Sequence, residues 1–206
     1  MGFRHALNVA AAIGLVVLGS QASPAFAAPQ GPVDAQLGGS AVPGVCMLSR
    51  EAVFANAKVG KAATARLQQL AQQEQSAIDA ERKPLDTDIQ TFRAQAASMK
   101  DADRQSREQA LNQRMQTLQA HADLRSREID ATRAKALQRI SQEAQPVIAS
   151  VYKSRSCGML LNRDAVLGGN MANDLTAAVV QGLDARITTI SFDLEQLPAG
   201  STGQTP

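Results

Sequence analysis

Aromatic side chains are scarce in this 206-residue sequence: no Trp, one Tyr (Tyr152) and five Phe, 3% in all. Aromatics supply much of the mass of compact cores. Their shortage, beside abundant Ala, Gln, Arg and Glu, argues against a compact ball and for a long helix. Histidine is limited to His5 and His121. His121 stands between Ala120 and Ala122, with no Cys or second His nearby, so it reads as a surface residue and not a metal ligand. It is not placed to activate a nucleophile either, and neither an enzyme nor a cofactor is expected. Charge of one sign is also lacking. The balance is 21 Lys/Arg to 19 Asp/Glu, net +2. Lys100 to Lys153 carries ten basic residues against seven acidic, and Ser154 to the end three against five. That bias is too mild for specific nucleic-acid binding. Asp79, Glu81, Asp86 and Asp88 lack the spacing and the Gly of a calcium loop, and read as a solvated helix face with Arg82 and Lys83. Gly168-Gly169 lacks a phosphate-binding pattern and reads as a turn.

Long apolar runs are missing except near the start. Ala6 to Leu18 (ALNVAAAIGLVVL) follows Arg4 and precedes Pro24 and Ala25-Phe26-Ala27. A run of about 7–15 apolar residues between a positive region and a small-x-small site is the pattern of a secretory signal. Cleavage is expected after Ala27, with export to the periplasm and no transmembrane segment in the mature chain. Residues 28–44, rich in Gly, Pro, Ala and Gln, read as a disordered leader.

The rest of the sequence implies an α+β fold in which a long antiparallel coiled-coil hairpin projects from a small β-body. Val45-Cys46-Met47-Leu48 suits a buried strand. Ser49 caps a short helix from Arg50, and Asn56 to Gly60 is a break. From Lys61 the pattern is helical. Thr64, Ala71, Ile78, Leu85, Phe92 and Met99 recur every seven residues, with Leu67, Leu70, Ile89 and Ala96 beside them, as in a coiled-coil seam. Lys83-Pro84 predicts a kink rather than a stop, because the seam resumes in phase at Leu85. Lys100 to Asp103 reads as a turn. A second helix, from about Arg104 to Lys153, carries Leu111, Met115, Leu118, Ala122, Ile129, Ala136 or Leu137, Ile140, Ala144, Val147 and Val151. Arg125 and Thr132 or Arg133 are weak gaps in that series, and Pro146 predicts a bend. Two such helices with a short turn lie antiparallel and reach roughly 60 Å.

Beyond the hairpin, Ser156-Cys157-Gly158 reads as a turn and Met159-Leu160-Leu161-Asn162 as a second strand. Ala165-Val166-Leu167 is a candidate third strand. Asn173 or Asp174 caps a helix from Leu175 to about Leu183. Ile187 to Leu197 (ITTISFDLEQL) alternates and reads as a further strand. The implied parts are thus a body of 45–59 with 154–197, a hairpin of 60–153 and a polar tail of 198–206.

The order of these pieces resembles the Skp/OmpH-like periplasmic chaperones. The matching segments are VCMLSREAVFANAKVGKAA, GMLLNRDAVLGGN and NDLTAAVVQGLD, over roughly Val45 to Leu183, including the Gly60-Lys61 step and Asp174-Leu175-Thr176. The resemblance implies a homotrimer, joined through strands that include Val45, Met47, Leu48, Met159, Leu160 and Leu161. It also implies ATP-independent holding of unfolded outer-membrane β-barrel proteins. Members of the family tend to be strongly basic, whereas this chain is nearly neutral.

An apolar but soluble hairpin suits holding without chemistry. Phe92, Met99, Met115 and Leu124, in its outer half, are candidate client contacts, Met because it adapts to varied partners. Ordinary packing between the helices would account for the same residues. Cys46 lies in the first strand and Cys157 just before the second, and they form either one intrachain disulfide or two buried thiols. The alternative function is a periplasmic adaptor or scaffold of an envelope transport complex.

Overall fold

The computed structural model describes residues 38–198. The expected signal, residues 28–37 of the expected leader and residues 199–206 of the expected tail lie outside the described part.

Strand β1, Val45–Leu48, is the buried strand expected from its apolar run, with Cys46, Met47 and Leu48 all buried. Ser49 ends it and starts helix α1, Arg50–Asn56. The Ser49 hydroxyl accepts the Ala52 N–H at 3.1 Å, satisfying one of the first-turn donors that a helix leaves unpaired. Ala57, extended and fully buried, separates α1 from helix α2, Lys58–Gln95. The break is therefore narrower than the segment Asn56 to Gly60. Gly60 permits it: a Cβ there would sit 1.7 Å from the Phe54 carbonyl oxygen, so only glycine lets α2 leave this close to α1. Asp184 Oδ1 accepts the Lys58 N–H at 2.7 Å and caps α2 from a distant helix.

Helix α2 runs unbroken through Pro84. A short 3-10 turn, Ala96–Ser98, leads to helix α3, Asp101–Ser154, which runs through Pro146. The turn between the rods thus falls before Lys100–Asp103, whose last three residues open α3. At about 1.5 Å per residue α2 is some 57 Å long.

The seam departs in part from the expected series. Ile78 and Leu85 are buried, but nearer the root Ala63 and Leu70 are buried while Ala71 is exposed. A straight helix drifts by about 20° per heptad against a strict seven-residue repeat, so the inward position moves back by one residue. On α3 the buried positions are Glu128, Thr132, Ala136, Ile140 and Ala144.

After α3, Ser156 takes a positive φ of 51° and the chain enters strand β2, Met159–Asn162. It pairs in parallel with β1, Val45 opposite Met159 and Leu48 opposite Asn162. A parallel pair needs a long crossover, and the whole hairpin is that crossover. Gly44, at φ 77°, turns its carbonyl oxygen to accept from Gly158 N at 2.7 Å and Met159 N at 2.9 Å. On the other side of β1, the Leu175 N–H donates to the Met47 carbonyl at 2.8 Å.

Two expected strands are absent. Arg163–Ala165 is a 3-10 turn stabilised by Asn162, and Val166 and Leu167 follow it outside any strand. Ile187 to Leu197 has no regular structure, with a bend at Thr188, and joins no sheet. Helix α4, Thr176–Arg186, begins one residue later than read, and Asp174 does tie its start, accepting the Thr176 N–H at 2.8 Å. The hydrophobic core lies at the root, where Val53, Val59, Ile140, Val179 and Leu183 meet. Each such buried side chain contributes about 1.5–3 kcal/mol.

Candidate functional site

The root presents one open edge. Met159 is 54% exposed and Leu160 36%, although both are apolar strand residues. Among the described residues the sheet has two strands, and nothing pairs with the far side of β2. Val42, Leu167 and Met171 are also exposed, Leu167 at 99%. A strand edge with uncovered apolar side chains is a template for association. β1 is the covered half of this pair: Met47 and Leu48 are buried and Val45 partly so, while on β2 Leu161 is half-buried. The structure links Cys46 and Cys157 in a disulfide with Cα atoms 5.8 Å apart, which ties β1 to the turn before β2.

Ser49 is the hub of the root. Its hydroxyl donates to Asp164 Oδ2 at 3.0 Å, and its N–H donates to the Thr176 hydroxyl at 3.1 Å. Asp174 accepts from the Thr176 hydroxyl and N–H and pairs with Arg163 at 2.9 Å. Burial works to raise the Asp174 pKa, but the Thr176 hydrogen bonds and the Arg163 guanidinium together outweigh it and leave the carboxyl below its ordinary value.

The rods are joined by polar rungs as well as by apolar contacts. Arg107 donates to Gln95 at 3.3 Å and Arg114 to Asp88 at 2.6 Å. His121 Nδ1 lies 3.1 Å from Glu81, and Arg125 Nε lies 3.2 Å from Glu74. The α2 partners step by seven, at 95, 88, 81 and 74. The α3 partners 107, 114 and 121 do the same. His121 and the acidic residues Glu81 and Asp88 are exposed, as read from sequence, and also make cross-rod contacts. Exposed pairs of this kind are worth about 0.2–1 kcal/mol each, so the ladder sets register more than it adds stability.

Nearer the root the polar gap in the α3 series is filled. Glu128 is 1% exposed, accepts from Arg125 at 2.6 Å and also accepts the Leu197 N–H at 3.0 Å. The Thr132 hydroxyl donates to the Glu128 carbonyl at 2.6 Å and accepts the Glu195 N–H at 2.9 Å. Lys135 meets the Glu195 carboxylate at 2.7 Å, and Arg66 reaches the Phe192 carbonyl and Asp193. The segment read as an edge strand is a strap lying along both rods. Its alternation is real: Ile190, Phe192 and Leu194 are half-buried, while Ser191 and Asp193 are exposed. On the rods' adjoining face, Ala63, Leu67, Ile129, Leu137 and Ile140 line an open apolar groove of about 570 Å³.

The profile of one protein family, described as Outer membrane protein (OmpH-like), matches residues 44–183. The chain belongs to the OmpH-like family. A crystal structure from Caulobacter crescentus CB15, of an OmpH-like protein assigned as an outer membrane chaperone, is 38% identical with a TM-score of 0.70. The match covers 78% of the present chain and 95% of that one. A search of the curated proteins gives no match.

In this OmpH-like chain the four candidate client contacts are spread along the outer hairpin and do not form one patch. Phe92 stands between the Gln95 and Asp88 rungs and is half-buried, as is Met99 in the tip turn. Met115 flanks the Arg114 rung and is 43% exposed. Leu124, half-buried, lies between the His121 and Arg125 rungs. Sequence reasoning missed Glu128, Thr132 and the rungs. The seven-residue spacing of polar residues on both rods, and the polar break at 125–132, were the available signals. Among the described residues no cluster of His, Cys, Asp and Glu is arranged to hold a metal ion, and no helix is long and apolar enough to cross a membrane.

Proposed function

We propose that this protein is an ATP-independent periplasmic holdase that keeps unfolded outer-membrane β-barrel proteins from aggregating. Membership of the OmpH-like family supports a chaperone role and a periplasmic location. One observation carries the finer reading: a long, sparsely apolar hairpin is rooted in a two-stranded sheet whose outer strand is uncovered. The edge of β2, with Met159 and Leu160, is completed by other copies of the chain in a homotrimer. Three hairpins then surround a common space, and client segments lie against Phe92, Met99, Met115 and Leu124. No chemistry is required, because the work is exchange of apolar surface with the client. The seam is thin and the rungs are weak, so the rods splay to fit clients of different size.

The test is the mass of the mature protein by light scattering, alone and with an unfolded β-barrel protein, together with client turbidity. A trimer that keeps the client soluble without ATP is expected. A monomer, or a client that aggregates unhindered, would remove the reading. Binding to a transport complex without suppression of aggregation would favour the adaptor function.

A further inference from the structure

The strap points to a property of the rods themselves. Its backbone is read by side chains and not by a sheet: Glu128 and Thr132 accept the N–H groups of Leu197 and Glu195, and Arg66 donates to the Phe192 carbonyl. The two acceptors lie four residues apart on α3 and meet N–H groups two residues apart on the strap, which is the repeat of an extended chain. Glu128 and Thr132 are buried polar side chains on a seam whose other buried positions are Ala136, Ile140 and Ala144, a placement that helix packing alone does not require. A cavity of about 800 Å³ opens between the strap and α3, lined by Ala136, Arg139 and Gln142 on the helix and by Ile187, Ile190 and Leu194 on the strap. The segment alternates apolar and polar residues, as does any strand destined for a barrel wall with one face in lipid and one in water.

We propose that the face of α2 and α3 bearing Arg66, Glu128, Thr132 and Lys135 is a binding site for one extended, alternating polypeptide segment, occupied in cis by Ile187–Leu197 and exchanged for a strand-like segment of an unfolded client. The proposal rests on the holdase reading and deepens it, naming the shape of the client segment and a built-in competitor for it. A docked strap lowers apparent client affinity by the fraction of time the site is free. A strap docked nine-tenths of the time weakens client binding about tenfold.

The experiment uses the full chain with the strap loosened from its own side. Phe192→Ser with Leu194→Ser weakens its apolar contacts, and Glu195→Pro, in a second variant, removes the N–H that meets Thr132. Neither change alters a residue of the rods, and far-UV circular dichroism checks that each variant folds. The probe is a fluorescent peptide of sequence ITTISFDLEQL, with a scrambled peptide lacking the alternation as control. The peptide is expected to bind a loosened variant about tenfold more tightly than wild type. An unfolded β-barrel client is expected to displace it and to bind the variant more tightly as well. Equal peptide binding to both forms, equal binding of the scrambled peptide, or a client held without displacing the peptide would overturn the proposal. Failure of every form to hold client, with the peptide still distinguishing loosened from wild type, would sink the holdase reading and leave the exchangeable strap standing.

Discussion

Replacing Cys46 and Cys157 together by alanine removes a crosslink between residues 111 apart in sequence. The effect falls mainly on the unfolded state. In the chain-entropy treatment, freeing a loop of that length releases about 16 cal/mol/K, or about 5 kcal/mol at 25 °C. The folded root loses little in exchange: alanine is smaller than cysteine but keeps the site apolar. The expected result in urea, at fixed protein concentration, is a fall in unfolding free energy of about 4–5 kcal/mol. The denaturant slope should also rise, because the uncrosslinked unfolded chain exposes more surface. Helix content before the transition should be unchanged, since the bond lies at the root and not along the rods. The starting material is checked by alkylation and mass analysis under non-reducing conditions, where no free thiol is expected. A loss below about 1 kcal/mol, or two alkylatable thiols in protein from its native compartment, would refute the reasoning.

Four further outcomes follow from the root. Gly60→Ala drives a Cβ into the Phe54 carbonyl and should cost about 3 kcal/mol by forcing α1 from α2, read as a lowered melting temperature. Ser49→Ala removes the α1 cap and the tie to Asp164, and should cost about 1–2 kcal/mol in chemical denaturation. Asp174→Asn should destabilise at pH 7. The folded-state pKa of Asp174 is below its unfolded value, so its carboxylate adds stability above the ordinary carboxylate range that is lost as pH falls through the folded value. The gap between variant and wild type should therefore close in acid, as urea midpoints at successive pH values will show. Leu160→Asp places a charge on the open edge of β2 and should prevent the proposed trimer from forming, read as a monomer in sedimentation with the helix signal intact.

The hairpin was legible because seven-residue periodicity is a strong signal and both prolines sit where the pattern resumes. The short strands at Val45 and Met159 were legible as bounded apolar runs. The extended segment at Ile187 was half legible. Alternation correctly marks a chain with one buried face, but it does not say whether that face meets a sheet or a helix pair. Here the acceptors are side chains, so Ile187 to Leu197 needs no strand partner. The gap at Arg125 to Thr132 looked like a weak seam because Glu128 and Thr132 serve the strap's backbone, while Arg125 meets the opposite rod through Glu74 and not through an apolar contact. The shift from Thr64 and Ala71 to Ala63 and Leu70 arises from accumulated helix drift, which a fixed seven-residue count ignores. Gly60 was noticed as part of a family pattern, but its reason, contact with the Phe54 carbonyl, depends on geometry that spacing does not carry.

The parallel pairing of Val45 with Met159 also has a bearing on the order of assembly. The first strand is made early and finds its neighbour only after both rods have been synthesised. Searching for that neighbour through a slack tether of this length is slow, because closure entropy must be met before any contact rewards it. Local helix formation and zippering of the rods shorten the tether, delivering the two strands side by side. The root is thus expected to close last, and whatever hinders the zipper to delay it.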